Sequence, residues 1–147
     1  MADNSNIPIS HAGMFTDGGI PVKFALGLAV GIRGNVGFQH FGCMTTRTPN
    51  QGEVQLCQPG QISLGPIIDV SPKGDTGTVQ IYGFEWVVAD MTNLAVAGLV
   101  TVGVNGILID INDATVSASD ADRSGIWQID ALDLINSKVL IAIDGYL

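Results

Sequence analysis

Residues 78–112 read TVQIYGFEWVVADMTNLAVAGLVTVGVNGILIDIN, in order a strand, a turn region and a hairpin. Val100, Val102 and Val104 alternate on one face, Asn105-Gly106 interrupts, and Ile107, Ile109 and Ile111 resume the alternation with Asp110 and Asn112 opposite. An Asn-Gly pair supplies the two positive-φ residues of a type I′ turn, whose twist matches the strands it joins. Upstream, Val79 and Ile81 share one parity, while Phe84, Trp86 and Val88 share the other. A β-bulge at Gly83 would return both sets to a single core. Nothing in the stretch carries an evident reactive group, so it predicts a β-scaffold whose function lies in its surface.

Outward from this segment the same punctuation continues. Residues 20–32, IPVKFALGLAVGI, place Val22, Phe24, Leu26, Leu28, Val30 and Ile32 on one parity and small residues on the other. The strict period of two and the glycines favour a strand over a helix. Its bare face, with Ala25, Gly27, Ala29 and Gly31, suits close approach to another backbone, either a second subunit or this chain itself. Residues 33–60 predict an irregular strand, a polar loop and a short strand around Val54 and Leu56. QISLGPIIDV alternates Ile62, Leu64, Ile68 and Val70, with Pro66 marking an edge or a bulge. Residues 71–77 are a turn cluster, DMTNLAVAG is a candidate helical turn capped from Asp90 or Thr92, and residues 113–125 read as a polar loop.

Two final strands follow: Trp127 and Ile129 alternate against Gln128 and Asp130, and Val139, Ile141 and Ile143 against Lys138 and Asp144, with ALDLINS between them. The expected fold is all-β, a compact barrel or sandwich of about eight short strands. Residues 1–19 form an extended N-terminal arm and residues 20–147 a single β domain.

The 147 residues suffice to bury about two-thirds of the unfolded surface. The net charge of −8 falls wholly in residues 69–147, where eleven carboxylates face Lys73, Arg123 and Lys138. That field repels phosphate backbones, and no basic cluster exists to bind them, so nucleic acid is not an expected partner. The mean hydropathy of +0.36 raises the question of a membrane. The most apolar window, residues 94–111, is interrupted by Asn105, Asp110 and turn glycines, which indicates buried strands instead. MADNSNIPIS lacks the basic and apolar parts of a secretory signal, and reduced Cys43 and Cys57 are the corresponding expectation.

A search for chemistry finds little. The only histidines, His11 and His40, have no nucleophile elbow to serve. His11, His40, Cys43 and Cys57 lack the second close pair of a zinc site. Asp110, Asn112 and Asp113, with Asp120 and Asp122 beyond, are oxygen-rich, but no closing glutamate follows to complete a calcium loop. Neither a metal nor a cofactor is expected. The tryptophans fall on positions that alternation assigns to the core, Trp86 with Phe84 and Val88, and Trp127 with Ile129.

The order of parts in residues 61–147 is the remaining clue. GPIIDVSPKGDTGTVQIYGFEWVVAD, then GLVTVGVNGILIDIND, then SGIWQIDALDLINSKVLIAID resembles the bacteriophage head decoration, or capsid cement, proteins. The resemblance implies a non-enzymatic virion protein on the outer capsid surface, bound to the major capsid protein and self-associating, often as a trimer. On that reading Ile7, Ile9, Met14 and Phe15 of the arm are anchors in grooves of the capsid protein. A binding module for carbohydrate, or for adhesion from a tail or cell surface, is the second reading. A small trimeric β-enzyme such as a nucleotide hydrolase is the third.

Overall fold

The computed structural model describes residues 20–24, 37–44, 53–70 and 77–143. The regular structure of the described residues is almost entirely antiparallel β, nine strands of one sheet curled into a half-barrel. In chain order these are β1 (Ile20–Phe24), β2 (Phe41–Met44), β3 (Val54–Leu56), β4 (Gly65–Val70), β5 (Gly77–Val88), β6 (Leu99–Val102), β7 (Leu108–Asp110), β8 (Ile126–Asp133) and β9 (Lys138–Ile143). Their spatial order is β3-β2-β4-β5-β9-β8-β6-β7, with β1 also on β5. A bridge from Ala89 to Leu108 and a 2.8 Å bond from Asp90 N–H to Leu108 C=O bring β7 back to the end of β5. Strands β5, β9, β8, β6 and β7 therefore wrap a common core.

That core holds Phe41, Val87, Val100, Val102, Leu108, Trp127, Ile129, Val139, Ile141 and Ile143, together with both cysteines. The rings of Phe41 and Trp127 pack at a centroid distance of 4.6 Å, tilted by 44°. Val54, Ile67, Val70 and Val79 form a second cluster under β2–β5. The alternation expected of Trp127/Ile129 and of Val139/Ile141/Ile143 is the one observed.

The Asn105-Gly106 turn has the expected form. Asn105 lies at φ 59°, ψ 32° and Gly106 at φ 72°, and Ile107 N–H reaches Val104 C=O at 3.4 Å. The facing residues differ from the expectation. A two-residue loop closed by Val104 and Ile107 would pair Val102 with Ile109, but Val102 pairs with Leu108, so Gly103 is an extra residue. Leu108 joins Val100 and Val102 in the main core, Ile109 turns to the opposite face, and Val104 is exposed.

Strand β5 corrects a second expectation. Gly83 has φ 95°, but the pairing of β5 with β9 runs without a shift from Gly83 to Val88. The irregularity lies instead between Gln80 and Tyr82, where β1 pairs. Gly83 marks a change of neighbours: residues 77–79 pair with β4 and residues 83–88 with β9. Parity is kept, so Val87 is buried while Phe84 is exposed and Trp86 and Val88 are only half-buried.

In β4 the register shifts between Ile67 and Asp69, just after Pro66, which puts Ile67 in the core in place of Ile68 and leaves Ile62 exposed. Residues 90–98 form turns rather than a helix: Leu94 N–H bonds to Met91 C=O and Gly98 N–H to Ala95 C=O.

The polar loop expected at 113–125 contains a helix, α1 (Ala118–Ser124), whose N-cap Ser117 accepts a 3.1 Å bond from Asp120 N–H. Ala121 packs with Ile109 and Val116, closing the outer side of the β6–β7 hairpin. Ser124 ties α1 to residues 60–63: its hydroxyl accepts from Gly60 N–H at 2.9 Å, and its carbonyl from Ser63 Oγ at 2.7 Å. No helix among the described residues is long and apolar enough to cross a membrane.

Candidate docking surface

Two apolar features lie outside the core. The first is the turn between β8 and β9. Leu134 and Ile135 are 72% and 93% exposed, although both are large aliphatics. The turn that carries them is closed by polar bonds: Asp133 Oδ1 accepts from Asn136 N–H at 3.1 Å, and its Oδ2 from Asn136 Nδ2 at 2.8 Å. The Asn136 bonds, aided by Lys138, hold the Asp133 carboxyl below its ordinary 3.8. Beside the turn, Lys138 stands 5.6 Å over the Phe38 ring and bonds to Gln39 Oε1. The result is a polar frame around two aliphatic side chains that face water.

The second feature is the outer face of β5 and its neighbours. Phe84 and Trp86 on β5 pair with Ala142 and Leu140 on β9, and Leu140 pairs with Ala131 on β8. The other face of these strands is the core, so the sheet is apolar on both sides, a pattern expected where both faces become covered. Side chains bond two of the backbone groups on the β5 edge here. Ala89 N–H bonds to Ser137 C=O, so the backbone groups of Phe84 and Trp86 point away from β9. Phe84 C=O accepts from Gln80 Nε2 and Trp86 N–H donates to Glu85 Oε1, each at 2.8 Å.

The expected sites sort as follows. Ile7, Ile9, Met14, Phe15, Ala25, Gly27, Ala29 and Gly31, with His11, lie outside the described residues. His40 bonds through Nδ1 to Asn105 C=O at 2.8 Å. Cys43 and Cys57 are free thiols brought together around Gln61, with Cys43 Sγ 3.3 Å from its Oε1 and Cys57 Sγ 3.6 Å from its carbonyl. Their mutual hydrogen bond brings Cys43 down from 9.0 to about 7 against the opposing effect of burial; the same bond, with burial, pushes Cys57 up.

The acidic loops are occupied by local turns. Asp110 Oδ1 accepts from Asn112 N–H, and Asp113 Oδ1 from Thr115 N–H and Oγ1. Bonds from Thr92 and Thr115 hold the carboxyls of Asp90 and Asp113 below 3.8. Asp110, Asp113, Asp120 and Asp122 do not gather, and no group of three or more metal-ligating side chains exists among the described residues.

The sequence reading missed both apolar features. It placed Phe84 and Trp86 in the core and treated Leu134-Ile135 as a connection. A signal for the second was present: adjacent aliphatics bracketed by Asp133 and Asn136, the residues that close a turn by side-chain bonding.

No protein-family model matches the chain, and no curated protein matches it. Among solved structures it is similar to the N base of the head fibre gp8.5 of bacteriophage phi29. The likeness has a TM-score of 0.53 at 15% identity and covers 87% of this chain and 98% of that one. At that identity the two share a fold.

Proposed function

We propose that this chain is a bacteriophage virion structural protein, a decoration or cement protein that binds the outer surface of the major capsid lattice and stabilises it. The observation that carries the reading is the Leu134–Ile135 turn, an apolar projection on a turn closed by Asp133–Asn136 bonds, in a fold shared with the base of a phage head fibre. A turn whose backbone is already tied before contact loses less conformational freedom on docking, so more of the burial free energy of its aliphatic side chains appears as affinity. A protein that binds only the assembled lattice stabilises that lattice by mass action, without any chemical step. Self-association, as a trimer, would multiply the effect by placing several projections on one site. The protein is not an enzyme on this reading.

The test is a Leu134→Asp/Ile135→Asp variant mixed with mature shells of the phage that encodes it. The reading predicts an unchanged circular dichroism spectrum and greatly reduced occupancy, and full occupancy would reject the projection as the contact. Solvent-facing Tyr82 and Phe84 favour a second reading, carbohydrate binding, because aromatic faces can stack on sugars. Saturable binding on a glycan array, lost in Phe84→Ser, would support it.

A further inference from the structure

Asn105-Gly106 is a pair in which the side-chain amide can be lost, because a nitrogen followed by an unbranched glycine is free to attack it. The attack forms a bond from Gly106 N to Asn105 Cγ, breaks the Cγ–Nδ2 bond and releases ammonia, while the Gly106 amide proton passes to hydroxide. Water then opens the five-membered imide at one of its two carbonyls, which leaves aspartate or isoaspartate at position 105. Asn105 is exposed, so solvent reaches its side chain.

The folded turn opposes the first step. At φ 59°, ψ 32° the Gly106 nitrogen lies nearly anti to the Asn105 Cβ about the Cα–C bond, whereas ring closure needs the two nearly eclipsed. Four hydrogen bonds keep that geometry. Gln58 Nε2 donates to Asn105 Oδ1 at 2.9 Å, and Asn105 N–H donates to Gln58 Oε1 at 3.1 Å. His40 Nδ1 bonds to Asn105 C=O at 2.8 Å, and Ile107 N–H to Val104 C=O at 3.4 Å. Gly106 is itself buried against the Phe41 backbone. Bringing the nitrogen into line therefore requires the hairpin tip to lift from the segments around His40 and Gln58, a local opening rather than global unfolding.

We propose that Asn105 is a deamidation site gated by its bonds to Gln58 and His40, inert while the hairpin tip is fastened and reactive when the tip lifts. Isoaspartate adds one carbon to the main chain between Val104 and Ile107, so a tip that has reacted cannot re-form the same turn and stays released. The inference concerns the free protein and stands without the capsid reading.

Incubating the full chain in mildly alkaline buffer, with peptide mass spectrometry reading amide-to-acid conversion at position 105, tests it. Conversion should be fastest in the urea-unfolded chain and slowest in the folded parent. Gln58→Ala should convert about fivefold faster than the parent, the scale on which a solvent-accessible hydrogen bond shifts a local opening. Ile141→Val, which weakens the core away from the tip, should convert at the parent's rate. A folded parent that converts as fast as the unfolded chain, or a Gln58→Ala variant that matches the parent, would overturn the gate. Equal acceleration by Gln58→Ala and Ile141→Val would also overturn it, since global unfolding would then admit the attack.

Discussion

Gln58 and Asn105, 47 residues apart, hold each other through two hydrogen bonds: Gln58 Nε2 donates to Asn105 Oδ1 at 2.9 Å, and Asn105 N–H donates to Gln58 Oε1 at 3.1 Å. His40 bonds to Asn105 C=O, so the tip of the β6–β7 hairpin is fastened to the segments flanking β2 and β3. Gln58→Ala should lower unfolding free energy by about 1 kcal/mol, the scale of solvent-accessible hydrogen bonds. A double-mutant cycle with Asn105→Ala in urea would measure the coupling, and strict additivity would show that the bonds contribute nothing.

Gly106 follows in the same turn with φ 72°, and a Cβ there would overlap the Phe41 carbonyl oxygen. Gly106→Ala should cost more than about 2 kcal/mol, combining a left-handed backbone with backbone overlap. Equilibrium denaturation is the measurement; an unchanged midpoint would contradict the turn described.

Asp133 gives a pH signature. Its folded-state carboxyl titrates below 3.8, so near and below that value the unfolded chain binds a proton more readily than the folded one. The stabilisation is present above this region and is lost as pH falls through the folded value. Melting temperatures from neutral to acid should therefore fall more steeply in the parent than in Asp133→Ala. Parallel curves would contradict the Asn136 bonds.

Cys43 and Cys57 are both buried, so neither should be alkylated until the fold opens; in the folded protein the Cys43 thiol should ionise through pH about 7 while Cys57 stays protonated. Cys57→Ala removes the hydrogen bond that lowers Cys43 and should move the midpoint up toward 9.0. Thiolate absorbance in the ultraviolet reads the midpoint in the folded protein, and an unmoved midpoint would show that the two thiols are independent.

Much of the fold was legible because turn chemistry is local. Asn105-Gly106 specified its own turn, and the last two strands alternate cleanly because only one of their faces is deeply buried. Register was less legible. Val100, Thr101 and Val102 are all buried, since α1 covers the side of the hairpin away from the core, and alternation carries no information where both faces are apolar. Phe84, Trp86 and Val87 pose the same ambiguity, and the outer pair was assigned inward. Helix α1 was hidden by its polarity, although Ser117 with Asp120 three residues later is a capping pattern. Exposure of Leu134 and Ile135 follows from the β8–β9 pairing, which no local pattern fixes.

The most direct test of the proposed capsid role is sedimentation of the purified protein with mature, expanded shells of the phage that this role implies, alongside unexpanded shells. The account predicts saturable binding to the mature shells at a fixed ratio to the shell subunit, with a higher shell melting temperature at saturation. Protein that stays in the supernatant at all concentrations, or that binds without raising the shell's melting temperature, would contradict it.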